Sequence, residues 1–185
     1  MTKKLSILIC TMPARKNTLD RLLNVLQPQI TNDVEIVTES DAGQISIGKK
    51  RNILLEKATG DYVAFVDDDD LVSSDYVAKI LSAIDKKPDC VGLQGIITFQ
   101  GQSPRVFIHS LKYKEWFEKN NVYYRCPNHL NPIKRDIALQ VKFPESNFGE
   151  DKDFSQRVLP LLQSEEFING TIYHYLYQKG GPPKN

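Results

Sequence analysis

The stretch that decides the fold is Tyr62-Val63-Ala64-Phe65-Val66-Asp67-Asp68-Asp69-Asp70, in which an apolar run leads directly into four aspartates. The run 62–66 has the composition of a strand covered on both faces. Ligands gather outside the carboxyl ends of the strands in open α/β sheets, which is where these aspartates should lie. Such close carboxylates raise one another's pKa, so a neutralising cation is expected. A divalent metal ion is the natural candidate, although Asp is also common in turns and at helix N-caps.

Strands and helices alternate around this stretch. The β-branched and apolar run 5–11 predicts a first strand, and 34–38 predicts a second. Residues with helical spacing follow each strand, in the ranges 19–26, 47–58 and 76–84. The repeated strand-helix order predicts an α/β fold with a parallel sheet and helices on both faces.

The pattern changes after Pro88. Alternating apolar positions between Val91 and Ile108 predict antiparallel strands at a sheet edge. Residues 111–121 are interpreted as a short helix and 150–162 as a longer one. The Asn169-Gly170 pair predicts a hairpin turn near the end of the chain.

Composition excludes several classes of protein. The chain has 185 residues and a net charge of +1, which favours a single domain (1–185) and gives no case for nucleic acid or an anionic membrane as partner. The apolar run 5–10 is too short for a signal sequence or a membrane span. The three cysteines form no CxxC pair, which argues against a disulfide framework or a zinc site. A cytoplasmic location is therefore expected.

Four ordered segments resemble the inverting glycosyltransferases of family 2, which have the GT-A fold. The segments are Ser6 to Thr11, Gly48 to Asn52, Ala58 to Asp70 and Phe148 to Asp151. The resemblance implies a Rossmann-like mixed sheet that is mainly parallel in its N-terminal half and has antiparallel edge strands. It also implies a nucleotide-binding half (1–88) and an acceptor and catalytic half (89–178). The Gly180-Gly181-Pro182-Pro183 segment predicts a flexible tail (179–185).

The resemblance assigns the nucleotide site to three positions. Thr11 would lie against the base, although a strand-end hydroxyl is an equal alternative. Relatives recognise uracil with paired aspartates, whereas this chain has Glu39-Ser40-Asp41, so Asp41 is the first choice for the base and Glu39 the second. Arg51 would bind phosphate oxygens or a base carbonyl. The alternative for Arg51 is a solvated helical charge, as for its neighbours Lys49 and Lys50.

The resemblance also implies a metal site and a base. The DXD motif falls on Asp67, Asp68 and Asp69, with Asp67 and Asp68 near the donor and Asp69 holding Mn²⁺ or Mg²⁺. Asp151 would be the general base, although acidic residues also stabilise helix N-termini. His174 would be a metal ligand or a core histidine.

The segment Pro127 to Arg135 lies where relatives build part of the acceptor and donor-sugar surface. Within it, His129 and Asn131 would contact sugar hydroxyls or bridge turn backbone, and the sequence leaves the two alternatives open.

The expected function is metal-dependent sugar transfer, of the hexosyltransferase type, from a nucleotide-diphosphate donor to a hydroxyl on a saccharide or other acceptor. A uridine-linked donor is the first expectation. One alternative is a noncatalytic module that binds nucleotide sugars or metal. Another is a sugar nucleotidyltransferase, which should carry a glycine- and basic-rich phosphate loop that Pro13-Ala14-Arg15-Lys16 matches poorly.

Overall fold

A mixed β-sheet organises the computed structural model, which describes residues 3–178. The strands are β1 (Leu5–Thr11), β2 (Val34–Ser40), β3 (Tyr62–Phe65), β4 (Leu71–Val72), β5 (Cys90–Phe99), β6 (Gln102–His109), β7 (Phe117–Lys119), β8 (Val122–Arg125), β9 (Ile133–Lys134) and β10 (Glu165–Tyr177). The helices are α1 (Lys16–Leu26), α2 (Ile47–Lys57), α3 (Tyr76–Ile84), α4 (Arg135–Val141) and α5 (Glu150–Val158). Short 3₁₀ turns cover Pro13–Arg15, Gln27–Gln29 and Leu159–Leu161. The tail predicted for 179–185 lies outside the described residues.

The strand order is β2-β1-β3-β9-β5-β6-β8-β7, with β10 pairing with β5 and β4. The strands β2, β1 and β3 are parallel, as the alternation of strands and helices predicts. The strands β9 and β6 both run antiparallel to β5. The predicted mixed sheet is therefore confirmed. The expected edge position of 91–108 is wrong, because β5 and β6 lie inside the sheet and the order ends at β2 and β7.

Helices cover both faces of the sheet, because every side chain of β1 is buried and successive side chains point to opposite faces. Leu5, Ile7 and Ile9 belong to the core that includes residues of α1 and α3. Leu8 and Cys10 belong to the core that includes residues of α2, α4 and α5. In the part of the chain that the structure describes, no helix has the length and apolar character that a membrane crossing requires.

The helix expected at 111–121 is wrong. The chain makes turns after Ser110 and then forms the antiparallel pair β7 and β8. Asn120 and Asn121 join these strands with φ values of 51° and 61°. Two consecutive residues with positive φ make the hairpin turn that matches strand twist, and Asn tolerates this conformation. The paired asparagines therefore form the turn between β7 and β8, a conformation that a helix over 111–121 does not allow.

The hairpin expected at Asn169-Gly170 is also wrong. β10 continues through both residues and stays parallel to β5, with register shifts between Phe167 and Thr171 and between Thr171 and Tyr173. Gly170 has a φ of 89°, which lets the strand bulge without reversing. The bulge breaks the simple alternation, so the neighbours Ile172 and Tyr173 are both buried while His174 is exposed.

Candidate functional site

A cavity of about 660 Å³ lies at the carboxyl ends of β1 and β3. Its walls include side chains from the start of α1, from Asp67 to Asp69, from 128–130 and from 147–151. Residues 175–178, at the end of β10, complete it. The cavity therefore joins the acidic loop, which consists of Asp67 to Asp70, to the segment predicted to carry the base.

Arg15 bridges two aspartates of the acidic loop. Its Nη2 atom lies 2.7 Å from Asp68 Oδ1 and 2.6 Å from Asp69 Oδ2. Asp68 is buried and also accepts a hydrogen bond of 2.7 Å from the Thr11 hydroxyl. Burial raises the pKa of Asp68 to about 6, against the lowering effects of the Thr11 hydroxyl and the Arg15 charge. The neutralising cation expected from the sequence is thus supplied, in this structure, by the protein itself.

Asp70 has a different environment from its three neighbours. Its carboxylate is fully buried and accepts hydrogen bonds of 2.8 Å from the Tyr173 hydroxyl and from the backbone N–H of Leu176. Burial, together with the charges of Asp67 and Asp69, raises the pKa of Asp70 well above its usual range. Asp70 does not line the cavity, so it anchors β10 to the acidic loop.

Arg51 links the acidic loop to α5. Its Nη1 lies 2.8 Å from Glu150 Oε1, and its Nη2 lies 3.5 Å from Asp67 Oδ1. The guanidinium also lies over the ring of Phe143, 5.3 Å from the centroid. Arg51 is only 3% exposed, so its alternative interpretation as a solvated charge is wrong. It lies in the cavity wall, where it holds two carboxylates from distant segments.

Thr11 and Asp41 meet around a buried lysine. Lys50 is 1% exposed, forms an ion pair with Asp41 and donates a hydrogen bond of 2.9 Å to the Thr11 carbonyl oxygen. Burial acts to raise the pKa of Asp41, but the Lys50 hydrogen bond and backbone N–H donors lower it overall. The interpretation of Lys50 as a solvated charge is therefore wrong. Neither Thr11 nor Asp41 lines the cavity, and Glu39 pairs with Lys57 at 2.5 Å.

Asp151 lies at the first turn of α5, in the cavity wall. Gly149, with a φ of 75°, brings the chain into this helix in a conformation that other residues rarely adopt. The neighbouring Glu150 is held by Arg51, whereas Asp151 Oδ1 accepts a hydrogen bond of 2.7 Å from the Lys152 N–H. Helix N-termini favour acidic side chains, and Glu150, Asp151 and Asp153 all lie in the first turn of α5. Phe148, which is 82% exposed, lines the cavity beside it.

The two residues singled out between Pro127 and Arg135 have separate roles. Asn131 accepts from the Asn128 N–H at 3.0 Å and donates to the Val91 carbonyl at 2.8 Å, so it bridges backbone. His129 lines the cavity, and its Nε2 lies 3.7 Å from Asp67 Oδ2. Within residues 3–178, neither of its ring nitrogens makes a hydrogen bond although the side chain is 6% exposed. A buried polar group without a partner indicates that a ligand or water completes the site.

His174 lies on β10 in register with Leu71, directly after the acidic loop. Its side chain is exposed and does not line the cavity, which makes the core alternative wrong and leaves the metal-ligand alternative without support from this geometry. Arg15 was not among the sequence candidates, and its only signal was its place in the weakly basic segment after the first strand. Glu150 was visible in the sequence only as the neighbour of Asp151, with no indication that Arg51 would bind it.

The donor set suits a hard divalent cation, since carboxylate oxygens of Asp67, Asp68 and Asp69 line the cavity. No group of three or more possible ligand side chains converges on one point within residues 3–178. A metal ion bound here would therefore need ligands in addition to these side chains. Mg²⁺ in proteins commonly completes its coordination shell with substrate phosphates and water. The residues fit a metal that binds together with a diphosphate.

Comparison with known proteins agrees with this geometry. The chain is 22% identical over 161 residues to Glycosyltransferase GlyA of Streptococcus pneumoniae and 25% identical over 142 residues to Minor teichoic acid biosynthesis protein GgaB of Bacillus subtilis. These alignments cover 78% and 73% of this chain but only 22% and 16% of the relatives, so the chain spans about a fifth of their length.

The structure of S. aureus TarS 1–349 in complex with UDP-GlcNAc superposes with a TM-score of 0.71, at 15% identity, over 98% of this chain and 60% of the TarS 1–349 chain. That likeness shows the GT-A fold. The model of the family described as Glycosyl transferase family 2 matches residues 36–142. This match spans more than half of the chain and includes the acidic loop, Lys50 and Arg51. The chain therefore belongs to glycosyl transferase family 2.

Proposed function

We propose that this domain is a metal-dependent inverting glycosyltransferase that moves a sugar from a uridine-diphosphate donor to an acceptor hydroxyl. The observation that carries the proposal is that Asp151 lines the same cavity as Asp67 to Asp69 of the acidic loop, although these residues are far apart in the sequence. A base and a site for the leaving diphosphate are the two requirements of a single displacement at the anomeric carbon.

The donor is inferred from the cavity and the relatives. A volume of about 660 Å³ lies within the range of small-molecule sites. S. aureus TarS, which shares the fold, has been solved with UDP and with UDP-GlcNAc. Of the residues that the family resemblance assigns to the nucleotide, Thr11 donates a hydrogen bond to Asp68 and Arg51 lies 3.5 Å from Asp67, whereas Asp41 pairs with Lys50. The acceptor is a hydroxyl of a saccharide or of another molecule, and GgaB, a relative, is named for minor teichoic acid biosynthesis.

The chemistry begins at Asp151. Its carboxylate accepts the proton of the acceptor hydroxyl as that oxygen forms a bond to the anomeric carbon of the donor sugar. The bond between the anomeric carbon and the diphosphate breaks on the opposite side, and its electron pair remains on the departing phosphate oxygen. The sugar is therefore transferred with inversion. A divalent cation, when bound, supplies positive charge that stabilises the leaving diphosphate.

Other residues position these groups. Arg51 holds Asp67 and Glu150, so it fixes the acidic loop relative to the start of α5. The Thr11 hydroxyl and Arg15 hold Asp68, which leaves the loop in one conformation before any ligand arrives. Positioning of this kind matters because displacements of about 1 Å can cost about a hundredfold in rate.

The test has a binding arm and a turnover arm. Thermal melting of the wild-type domain with a panel of nucleotide sugars, with and without Mn²⁺, should show a Mn²⁺-dependent increase in Tm for a uridine-linked donor. The variant Asp151→Asn should keep that increase in Tm. Its rate of sugar transfer, or of the slow hydrolysis of the donor, should fall by about 10²–10⁴-fold. Asp153→Asn is the matched control, because Asp153 lies in the same helical turn and pairs with Arg157 outside the cavity.

Three outcomes would contradict parts of this proposal. If another nucleotide raises Tm and no uridine-linked donor does, the assignment of uracil as the base of the donor is wrong. Binding without any turnover in the wild type would favour the noncatalytic nucleotide-sugar module. Unchanged turnover in Asp151→Asn would remove Asp151 as the base. The cytoplasmic location is also proposed, and localisation of a tagged full-length protein would test it.

A further inference from the structure

The acidic loop already holds a cation of the protein's own. The Arg15 guanidinium spans Asp68 and Asp69, and its side chain is 14% exposed within the cavity wall. Asp69 is the residue that the family resemblance assigns to the metal. A guanidinium 2.6 Å from Asp69 Oδ2 occupies the space that a metal ion bound to that oxygen would need. Arg15 and a divalent cation therefore compete for the same carboxylate.

The loop has a second attachment that does not depend on this contact. Arg21, from α1, donates a hydrogen bond of 2.7 Å from Nη2 to the backbone carbonyl of Asp69. Asp70, at the end of the loop, is held by Tyr173 and Leu176. The backbone of the loop is thus fixed even if the Arg15 side chain turns away. A change of rotamer at Arg15 is enough to expose the Asp69 carboxylate.

A diphosphate offers Arg15 a second partner in the same cavity. Guanidinium groups bind phosphate oxygens through paired hydrogen bonds, and these are stronger than hydrogen bonds between neutral groups. A metal ion alone must displace Arg15 from two carboxylates without providing a new anion. A metal ion that arrives with a diphosphate provides one.

We propose that Arg15 is a displaceable counter-ion that keeps the metal site closed until the donor diphosphate binds, when its guanidinium moves from Asp69 to the diphosphate. This inference rests on the proposed function for its metal and donor. Its consequence is strong positive coupling between metal and nucleotide: each binds weakly alone, and each strengthens the other. Coupling of this kind is reciprocal, so it can be measured from either ligand.

The experiment measures the dissociation constant of Mn²⁺ from the electron paramagnetic resonance signal of the free ion, with and without UDP. In the wild type, UDP should tighten Mn²⁺ binding by about tenfold or more, within the usual range of coupling between sites. In Arg15→Met, Mn²⁺ alone should bind about tenfold more tightly than in the wild type, and the effect of UDP should shrink to about threefold or less. UDP alone, in EDTA, should bind more weakly to this variant.

Lys16→Met is the matched control. Lys16 is the next residue, carries the same charge and pairs with Asp20 instead of the acidic loop. The control removes one positive charge from the same segment without freeing Asp69, so its Mn²⁺ constants should equal those of the wild type. Arg15→Lys should fall between wild type and Arg15→Met, because an ammonium keeps the positive charge but lacks the paired donors with which a guanidinium binds phosphate oxygens.

The inference can still be tested if Arg15→Met does not fold. If Arg15→Met fails to fold because Asp68 loses its buried partner, Arg15→Lys still reports on competition. The Nε–Hε resonance of Arg15 in the wild type gives an independent measurement, and it should shift when UDP is added with Mg²⁺ but not when Mg²⁺ is added alone.

The outcomes separate this inference from the proposed function. If UDP tightens Mn²⁺ binding in the wild type, but Mn²⁺ alone binds Arg15→Met and Arg15→Lys within about twofold of the wild type, Arg15 does not close the site and only this inference fails. If neither Mn²⁺ nor UDP binds the wild type under any condition, the proposed metal and donor fail, and this inference fails with them.

Discussion

The Tyr173 hydroxyl donates a hydrogen bond of 2.8 Å to Asp70 Oδ2, and both side chains are fully buried. The same hydroxyl accepts a hydrogen bond of 3.2 Å from the backbone N–H of Asp67. One phenol thus connects β10, near the end of the described chain, with both ends of the acidic loop. The loop is therefore shaped from outside the cavity as well as from within it.

Asp70→Asn should change how stability depends on pH. The raised pKa of Asp70 means that the native state binds this proton more tightly than the unfolded chain, whose Asp has a pKa of about 3.9. Its contribution is therefore fully present below the unfolded pKa and is lost as the pH rises through the native pKa. We expect the free energy of unfolding of Asp70→Asn, relative to wild type, to rise as the pH is increased over the range above about pH 4, the pKa of the unfolded Asp. Urea unfolding of both proteins across this range is the measurement, and a difference that stays constant with pH would contradict it.

Asp41→Asn should destabilise the fold, because it leaves the Lys50 ammonium buried without its carboxylate. The expected loss is about 3–5 kcal/mol, as for other broken buried pairs. Glu145→Gln is the control, since the Lys49–Glu145 pair is exposed and 3.6 Å long, and its loss should cost below about 1 kcal/mol. The measurement is urea unfolding at neutral pH. If Asp41 serves only to bind the base, the stability of Asp41→Asn should instead equal that of the wild type.

Gly48→Ala should destabilise the protein although Ala is the better helix former. A Cβ atom at this position of α2 would lie 1.8 Å from the Pro144 carbonyl oxygen. The helix-propensity gain is about 1 kcal/mol, whereas overpacking against backbone costs about 1–3 kcal/mol or more. We expect a lower Tm by differential scanning calorimetry and weaker UDP stabilisation, because α2 also carries Arg51. Lys49 is exposed, so Lys49→Ala should leave Tm nearly unchanged. A similar decrease of Tm in both variants would refute the packing argument.

Arg51→Lys should lower both the stability of the protein and its rate of sugar transfer. The guanidinium reaches Glu150 and Asp67 through different nitrogens, and one ammonium lacks the geometry to satisfy both. We expect a loss of about 1–3 kcal/mol in stability from the unsatisfied buried carboxylate. We also expect transfer to slow more than donor binding weakens, because the start of α5 loses its link to the acidic loop. Steady-state kinetics checks this, and an unchanged kcat with a raised KM would indicate direct donor contact instead.

Local sequence patterns determined the order of strands and helices in the N-terminal half of this protein. The apolar runs of β1, β2 and β3 and the helical spacing between them are short-range signals, and they predict the parallel half of the sheet. The four aspartates after β3 could also be placed at the carboxyl end of the sheet, because strand direction settles where a strand ends. The family resemblance added Asp151 to the same site, and the structure brings both segments to one cavity.

Contacts between distant residues decided the rest. Asn169-Gly170 is locally compatible with a reversal or with a bulge, and continued pairing with β5 selects the bulge. No sequence pattern distinguishes Lys50, which is buried against Asp41, from Lys49, which is exposed. The same limit applies to Arg15, whose partners follow it by more than fifty residues in the chain. Local patterns report which face a residue prefers, whereas the partner of a charge is set by the folded chain, because only folding brings distant charges within a few ångströms of each other.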